Sequence, residues 1–221
     1  MQVTFVVVGV LAVAALLVIR LAFVLPALEH HQLRKKPLKI IEEKSIMVLL
    51  GSGGHTGEMI RILSSTESVT KAKKLYWVIS SGDSSSSIHL QKLQNELNIS
   101  ERSKTIELPR ARKVGEGLIS SIGSTIKTII STFKQFIQMK AFPDVLMVNG
   151  PGTSVPICYF FFILKLFGIH STKILYIESL ARVSDLSLSG KLCYLISDRF
   201  IVQWEKLQTR YPNAEWYGIL V

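Results

Sequence analysis

From residue 45 onward, short uninterrupted apolar runs alternate with longer segments of helical periodicity, and this alternation leaves few folds open. Ser45–Leu50, Leu75–Ser80, Lys104–Leu108, Asp144–Val148, Lys173–Ile177 and Arg199–Trp204 read as strands, with a last strand near Trp216. Between them, Thr56–Ser64, Ile88–Leu97, Leu118–Phe136, Val155–Phe167 and Leu188–Ile196 read as helices, with one more short helix before the last strand. The strand runs are continuous and do not alternate with polar residues, so both of their faces are expected to be buried. Strands covered on both sides and joined through helices form a parallel sheet in a doubly wound, Rossmann-like α/β domain. In Leu118–Phe136, apolar residues Leu118, Ile119, Ile122, Ile126, Ile129, Ile130 and Phe133 recur at three- and four-residue spacing. Ser81–Ser87 is rich in serine and glycine and reads as a mobile loop.

The amino terminus has a different character. Val3–Ile19 contains only apolar residues, glycine, alanine and one threonine, and after Arg20 the apolar run resumes to Leu28. Such a stretch spans a hydrocarbon core of roughly 30 Å at about 1.5 Å per residue. No basic residue precedes it, whereas Arg20, Arg34, Lys35, Lys36 and Lys39 follow. The missing basic leader argues for a retained anchor over a cleaved signal peptide. The positive flank argues for a cytosolic domain. The expected organisation is a transmembrane anchor over 1–28, a basic juxtamembrane linker over 29–44 and one domain over 45–221.

The formal net charge of +10 suits anionic lipid or a phosphate-bearing ligand. No interleaved basic and aromatic pattern suggests nucleic acid. The two cysteines, Cys158 and Cys193, are far apart in apolar surroundings, which suggests neither a disulfide framework nor a zinc site.

In doubly wound sheets ligands bind beyond the carboxyl ends of the strands, so the loops there are the candidate site. Gly51-Ser52-Gly53-Gly54-His55-Thr56 follows the first strand and opens a helix. Glycines permit close backbone approach, and N–H groups at a helix start bind anionic oxygens. The spacing matches neither the dinucleotide fingerprint nor the P-loop, leaving a phosphate or sugar-diphosphate site as the favoured reading. Asn149-Gly150-Pro151-Gly152-Thr153-Ser154 follows the DVLMV strand, and Thr153 or Ser154 is placed to cap the next helix. Glu178 and Arg182 follow KILYI; they either pair with each other or bind substrate hydroxyl and phosphate.

Taken together, GSGGHT, VNGPGTSVPIC, YIESLARV with LSLSGK, and IVQW…YP…YG resemble the membrane-anchor subunit of the dolichol-pathway UDP-N-acetylglucosamine transferase, the asparagine-linked glycosylation protein fourteen family. The resemblance runs from Ile46 to Val221. More distantly, GSGGHT is similar to the G-G-x-G-G-H loop of bacterial peptidoglycan-lipid N-acetylglucosaminyl transferases, single chains with two Rossmann halves in the GT-B arrangement. By that resemblance this chain is expected to supply the amino-terminal, acceptor-binding half only. The resemblance therefore implies a separate donor-binding partner of the asparagine-linked glycosylation protein thirteen type. It implies transfer of a second N-acetylglucosamine, β1,4-linked, onto dolichyl-diphosphate-N-acetylglucosamine at the cytosolic face of the endoplasmic reticulum, with inversion and without a metal or other cofactor. Inversion needs a base for the acceptor hydroxyl; His55 is the candidate on this chain, and the partner is the alternative source. Under this reading Gly51, Ser52, Gly53, Gly54, Thr56, Asn149, Gly150, Gly152, Thr153, Ser154, Glu178 and Arg182 form the acceptor and phosphate site.

Three other classes are open to the sequence. A transferase complete in one chain lacks its second half. A pure anchor and scaffold leaves the glycine-rich loops without a task. A Rossmann-type nucleotide-binding regulator wants an acidic ribose ligand, for which Asp83 is the nearest candidate. The uncharged tail Trp216–Val221 is expected either to close the sheet or to meet the partner.

Overall fold

The computed structural model describes residues 2–28, 43–67, 69–109 and 120–221, the side chains of 2, 3 and 120–127 excepted. An amino-terminal helix, α1 (Gln2–Val24), is followed by a 3-10 turn at Pro26–Leu28. The domain then runs β1 (Ser45–Leu50), α2 (Gly54–Ser64), β2 (Lys74–Ser80), α3 (Ser84–Glu96), β3 (Ser103–Leu108), α4 (Ser120–Ile137) and β4 (Val145–Asn149). It continues with α5 (Ser154–Leu166), β5 (Lys173–Ile177), α6 (Leu188–Cys193), β6 (Arg199–Val202), α7 (Glu205–Arg210) and β7 (Glu215–Trp216). All pairings in the seven-stranded sheet are parallel, in the order β3-β2-β1-β4-β5-β6-β7.

Successive side chains of a strand point to opposite faces, and here both faces are packed. From β1, Met47 and Leu49 enter one cluster, with Phe136, Phe160, Phe161 and Tyr176. Ile46, Val48 and Leu50 enter the other, with Met59, Leu63, Trp77 and Leu90. The first cluster lies under α4, α5 and α6, the second under α2 and α3. This is why the strand sequences show no polar alternation.

Sheet order reverses between β1 and β4, and there the two strands part. Their pairing covers only Ile46–Val48 against Val145–Met147. β1 stays paired to β2 through Leu50, and β4 to β5 through Asn149. A crevice therefore opens at the carboxyl end of the central strands, the usual ligand position in this architecture.

Several boundaries shift from expectation, and two of the shifts bear on the site. The first helix of the domain begins at Gly54, not at Thr56, with Gly53 (φ +65°) preceding it in a conformation suited to glycine. The Ser81–Ser87 segment is not a loop throughout: α3 starts at Ser84, because the Asp83 carboxylate accepts hydrogen bonds from the backbone N–H and hydroxyl of Ser86. Leu118 and Ile119, the side chains of Ile122 and Ile126, and linker residues 29–42 lie outside the described residues.

Thr4–Val24 is long and apolar enough to cross a membrane, and most of its large side chains are exposed. Its carboxyl end is fastened to the domain. Arg20 Nε donates to the Leu166 carbonyl at 3.2 Å, at the end of α5. Ala27 N donates to the Leu195 carbonyl, and Asn213 Nδ2 to the Ala27 carbonyl. Val24 and Leu25 pack against the first cluster.

Candidate functional site

The two glycine-rich loops meet across the β1/β4 crevice. Asn149, the last residue of β4, is almost fully buried, and its Nδ2 donates to the His55 carbonyl at 2.7 Å. The His55 ring lies against Gly150, where an added Cβ would collide with Cε1. At Gly51 a Cβ would come within 2.6 Å of Pro151 Cγ. These two glycines are thus needed for close packing between loops.

His55 is about one-third exposed, with a side-chain accessibility of 33%. Its Nδ1 is shielded from solvent and lies 3.7 Å from Glu58 Oε2. Cε1, Nδ1 and Nε2 all come within 3.2 Å of where a Gly150 Cβ would stand, so this side of the ring is packed on the second loop. The other carboxylate oxygen of Glu58 accepts a hydrogen bond from Ser179 Oγ at 2.8 Å, which ties α2 to the loop after β5. At 3.7 Å, His55 Nδ1 and Glu58 Oε2 share no hydrogen bond, and the carboxylate acts on the ring through its charge alone.

Thr56 braces the first loop. Its hydroxyl donates to the Gly51 carbonyl and lies 2.6 Å from Ser86 Oγ, which donates to Asp83. Asp83, considered above as a ribose ligand, is instead this helix cap. In the second loop neither Thr153 nor Ser154 caps α5 as expected. Thr153 holds the cap position without a side-chain bond, and the Ser154 hydroxyl donates backwards to the Pro151 carbonyl at 2.7 Å.

In the third loop Glu178 is fully buried. Oε1 accepts from Ser179 N, and Oε2 accepts from Ser187 N and Ser187 Oγ. Burial raises its pKa above the ordinary carboxylate range, against the lowering by these hydrogen bonds and the Arg182 charge. A carboxylate so enclosed holds the 178–187 loop in shape and presents no oxygen to the crevice. Arg182 stands exposed on the same loop.

The candidates thus divide by accessibility. Ser52, Gly53, Gly54, Gly152 and Arg182 are exposed, and His55 and Gly150 are partly so; Gly51, Thr56, Asn149, Thr153, Ser154 and Glu178 are buried and support the others. The sequence reading passed over Glu58, Ser179 and Ser86. Glu58 carried a local signal, since a residue three after His55 on a helix lies on the same face. The described residues contain no group of three or more His, Cys, Asp or Glu side chains placed to hold a metal ion.

Residues 46–220 match the family described as "Oligosaccharide biosynthesis protein Alg14 like". The chain is 47% identical to the UDP-N-acetylglucosamine transferase subunit ALG14 of Debaryomyces hansenii, with 92% of this chain and 90% of that protein covered. It is 47% identical to the protein of that name from Candida albicans, over 93% and 91% of the two chains. With that of Rattus norvegicus it shares 35% identity over 94% of each. Among solved structures it is similar to the glycotransferase of kitacinnamycin, at 11% identity and a TM-score of 0.40, over 62% of this chain and 31% of that one. That likeness is too distant to carry an argument.

Proposed function

The chain belongs to the Alg14 family, and on that premise we propose that it is the membrane-anchoring, acceptor-binding subunit of a two-chain UDP-N-acetylglucosamine transferase. In this reading α1 spans the endoplasmic reticulum membrane and leaves the Rossmann-like domain on the cytosolic face. The domain is the acceptor half of a GT-B enzyme and recruits a donor-binding catalytic subunit of the Alg13 type. The reaction adds a second N-acetylglucosamine, β1,4-linked, to dolichyl-diphosphate-N-acetylglucosamine, with UDP leaving.

The observation that carries the reading is the union of two glycine-rich loops around a part-exposed histidine at the β1/β4 crevice. The exposed backbone of Ser52, Gly53 and Gly54 at the start of α2 suits the acceptor diphosphate. Arg182 offers an exposed cation on the loop after β5. His55, backed by Glu58, is placed to take the proton from the attacking sugar hydroxyl as the donor's anomeric carbon is transferred to its oxygen. Partner contact is assigned to the carboxyl-terminal edge, where Trp216, Tyr217 and Ile219 are exposed while Leu220 and Val221 pack on the second cluster.

A transfer assay with UDP-N-acetylglucosamine and a lipid-diphosphate-N-acetylglucosamine acceptor tests this, using this chain alone, the donor-binding chain alone, and both together. Turnover is expected only for the pair. Robust turnover by this chain alone would contradict the proposal.

A further inference from the structure

The side of α6 and of the turn after it that faces away from the core carries leucines at the solvent surface. Leu188 is 75% exposed, Leu192 45% and Leu195 50%. They fall at i, i+4 and i+7, one side of a helical path, and the hydroxyl of half-exposed Tyr159 closes beside them on the Leu192 carbonyl at 3.2 Å. The inner side of the same segment, Cys193 and Ile196, is buried in the first cluster. The leucine row is therefore a second apolar surface, distinct from the core.

Both ends of the row are fixed. At one end the Leu195 carbonyl accepts from Ala27 N, directly after the anchor helix, beside exposed Leu28. At the other end Ser187, the residue before Leu188, is bonded to Glu178 at the end of β5, on the edge of the sheet where the crevice opens. The row thus leads from the membrane end of α1 to the catalytic edge, a rise of roughly 10 Å at helical geometry. Arg20, held on the Leu166 and Lys165 carbonyls, keeps α1 from swinging away from this face.

We propose that Leu188, Leu192 and Leu195 rest in the lipid surface as a second membrane contact, which lays the carboxyl edge of the sheet at the level of the headgroups. The occupant is the bilayer because the row is continuous with a helix of membrane-spanning length and composition. Isolated exposed leucines are ordinary, whereas a contiguous row marks an interaction surface. In that position a polyprenyl acceptor reaches the crevice with its chain still in the membrane. This inference rests on the reading that α1 spans the membrane and that the acceptor is lipid-linked.

The test is quenching by brominated phospholipid in vesicles containing the full-length chain. Leu192→Trp and Leu188→Trp are each compared with the parent, and with Ile88→Trp, an exposed position on the opposite face of the sheet. The expected result is loss of the added fluorescence in brominated vesicles for both leucine positions and none for Ile88→Trp. Equal quenching at all three positions would overturn the proposal. So would leucine-position variants that are shielded from acrylamide yet unquenched by bromolipid, since a protein surface would then cover the row. Flotation of the parent with vesicles separates the two readings. A chain that floats while the leucine-position variants stay unquenched refutes the second contact alone, and a chain that fails to float refutes the anchor and the contact together.

Discussion

The side-chain amide of Asn149 donates to the backbone carbonyl of His55 at 2.7 Å. One hydrogen bond thus joins the end of β4 to the start of α2, across the point where β1 and β4 part. Asn149→Ala leaves the His55 carbonyl without this donor. The expected cost is about 1–3 kcal/mol of unfolding free energy, read in urea melts, with a raised KM for the acceptor in the two-chain enzyme. Unchanged stability and an unchanged KM would separate the two loops functionally.

Gly150 gives a sharper test of the imidazole's position. A Cβ there collides with His55 Cε1, so Gly150→Ala displaces the ring while the fold persists. A misplacement of about 1 Å at a reacting group costs on the order of 10²-fold in rate, and kcat is the quantity to follow. His55→Ala should cost at least as much, roughly 10²–10⁴-fold, with partner binding intact. At Gly54 a Cβ meets nothing within 4 Å. A rate loss for Gly54→Val in a chain of normal stability therefore reports on space that the acceptor diphosphate occupies.

In the proposed mechanism Glu58 acts through His55. Glu58→Gln keeps the shape and the bond from Ser179 Oγ but removes the charge behind Nδ1. The expected result is a lower kcat at unchanged stability, because the ring loses the anion behind it. A merely structural role would lower stability and leave kcat in place.

The strands were readable because each is a short unbroken apolar run, and burial on both faces is what such a run means. The start of α3 was not: Ser84–Ser87 has poor helix propensity, and the signal was one capping residue, Asp83. The main site loops stood out through their glycines, but their residue types do not divide exposed candidates from buried ones. Glu178 read as either a partner of Arg182 or a ligand for substrate hydroxyl; its three donors come from Ser179 and Ser187, and only the turn of the chain brings Ser187 back. The Glu58–Ser179 bond spans 121 residues, beyond any local pattern.

Asp144 links the beginnings of β1 and β4, since its Oδ2 accepts from both the N–H and the hydroxyl of Ser45 at 2.8 Å. Burial alone would raise its pKa, but the Ser45 hydrogen bonds, with the charges of Lys44 and His170, hold it below the ordinary aspartate range. A folded-state pKa below the unfolded value contributes stability above the unfolded pKa, lost as pH falls through the folded one. Melting curves from pH 6 downward should therefore show a shallower acid decline for Asp144→Asn than for the parent. An identical decline would remove Asp144 from the acid response.

Photo-cross-linking places the acceptor most directly. A lipid-diphosphate-N-acetylglucosamine carrying a photoreactive group near its diphosphate is irradiated with the intact two-chain enzyme, and the labelled peptides are mapped. Labelling within 51–56 and 149–154 of this chain, competed by unmodified acceptor, is the predicted result. Labelling confined to the partner chain would contradict an acceptor-binding role and leave this chain as anchor and scaffold alone.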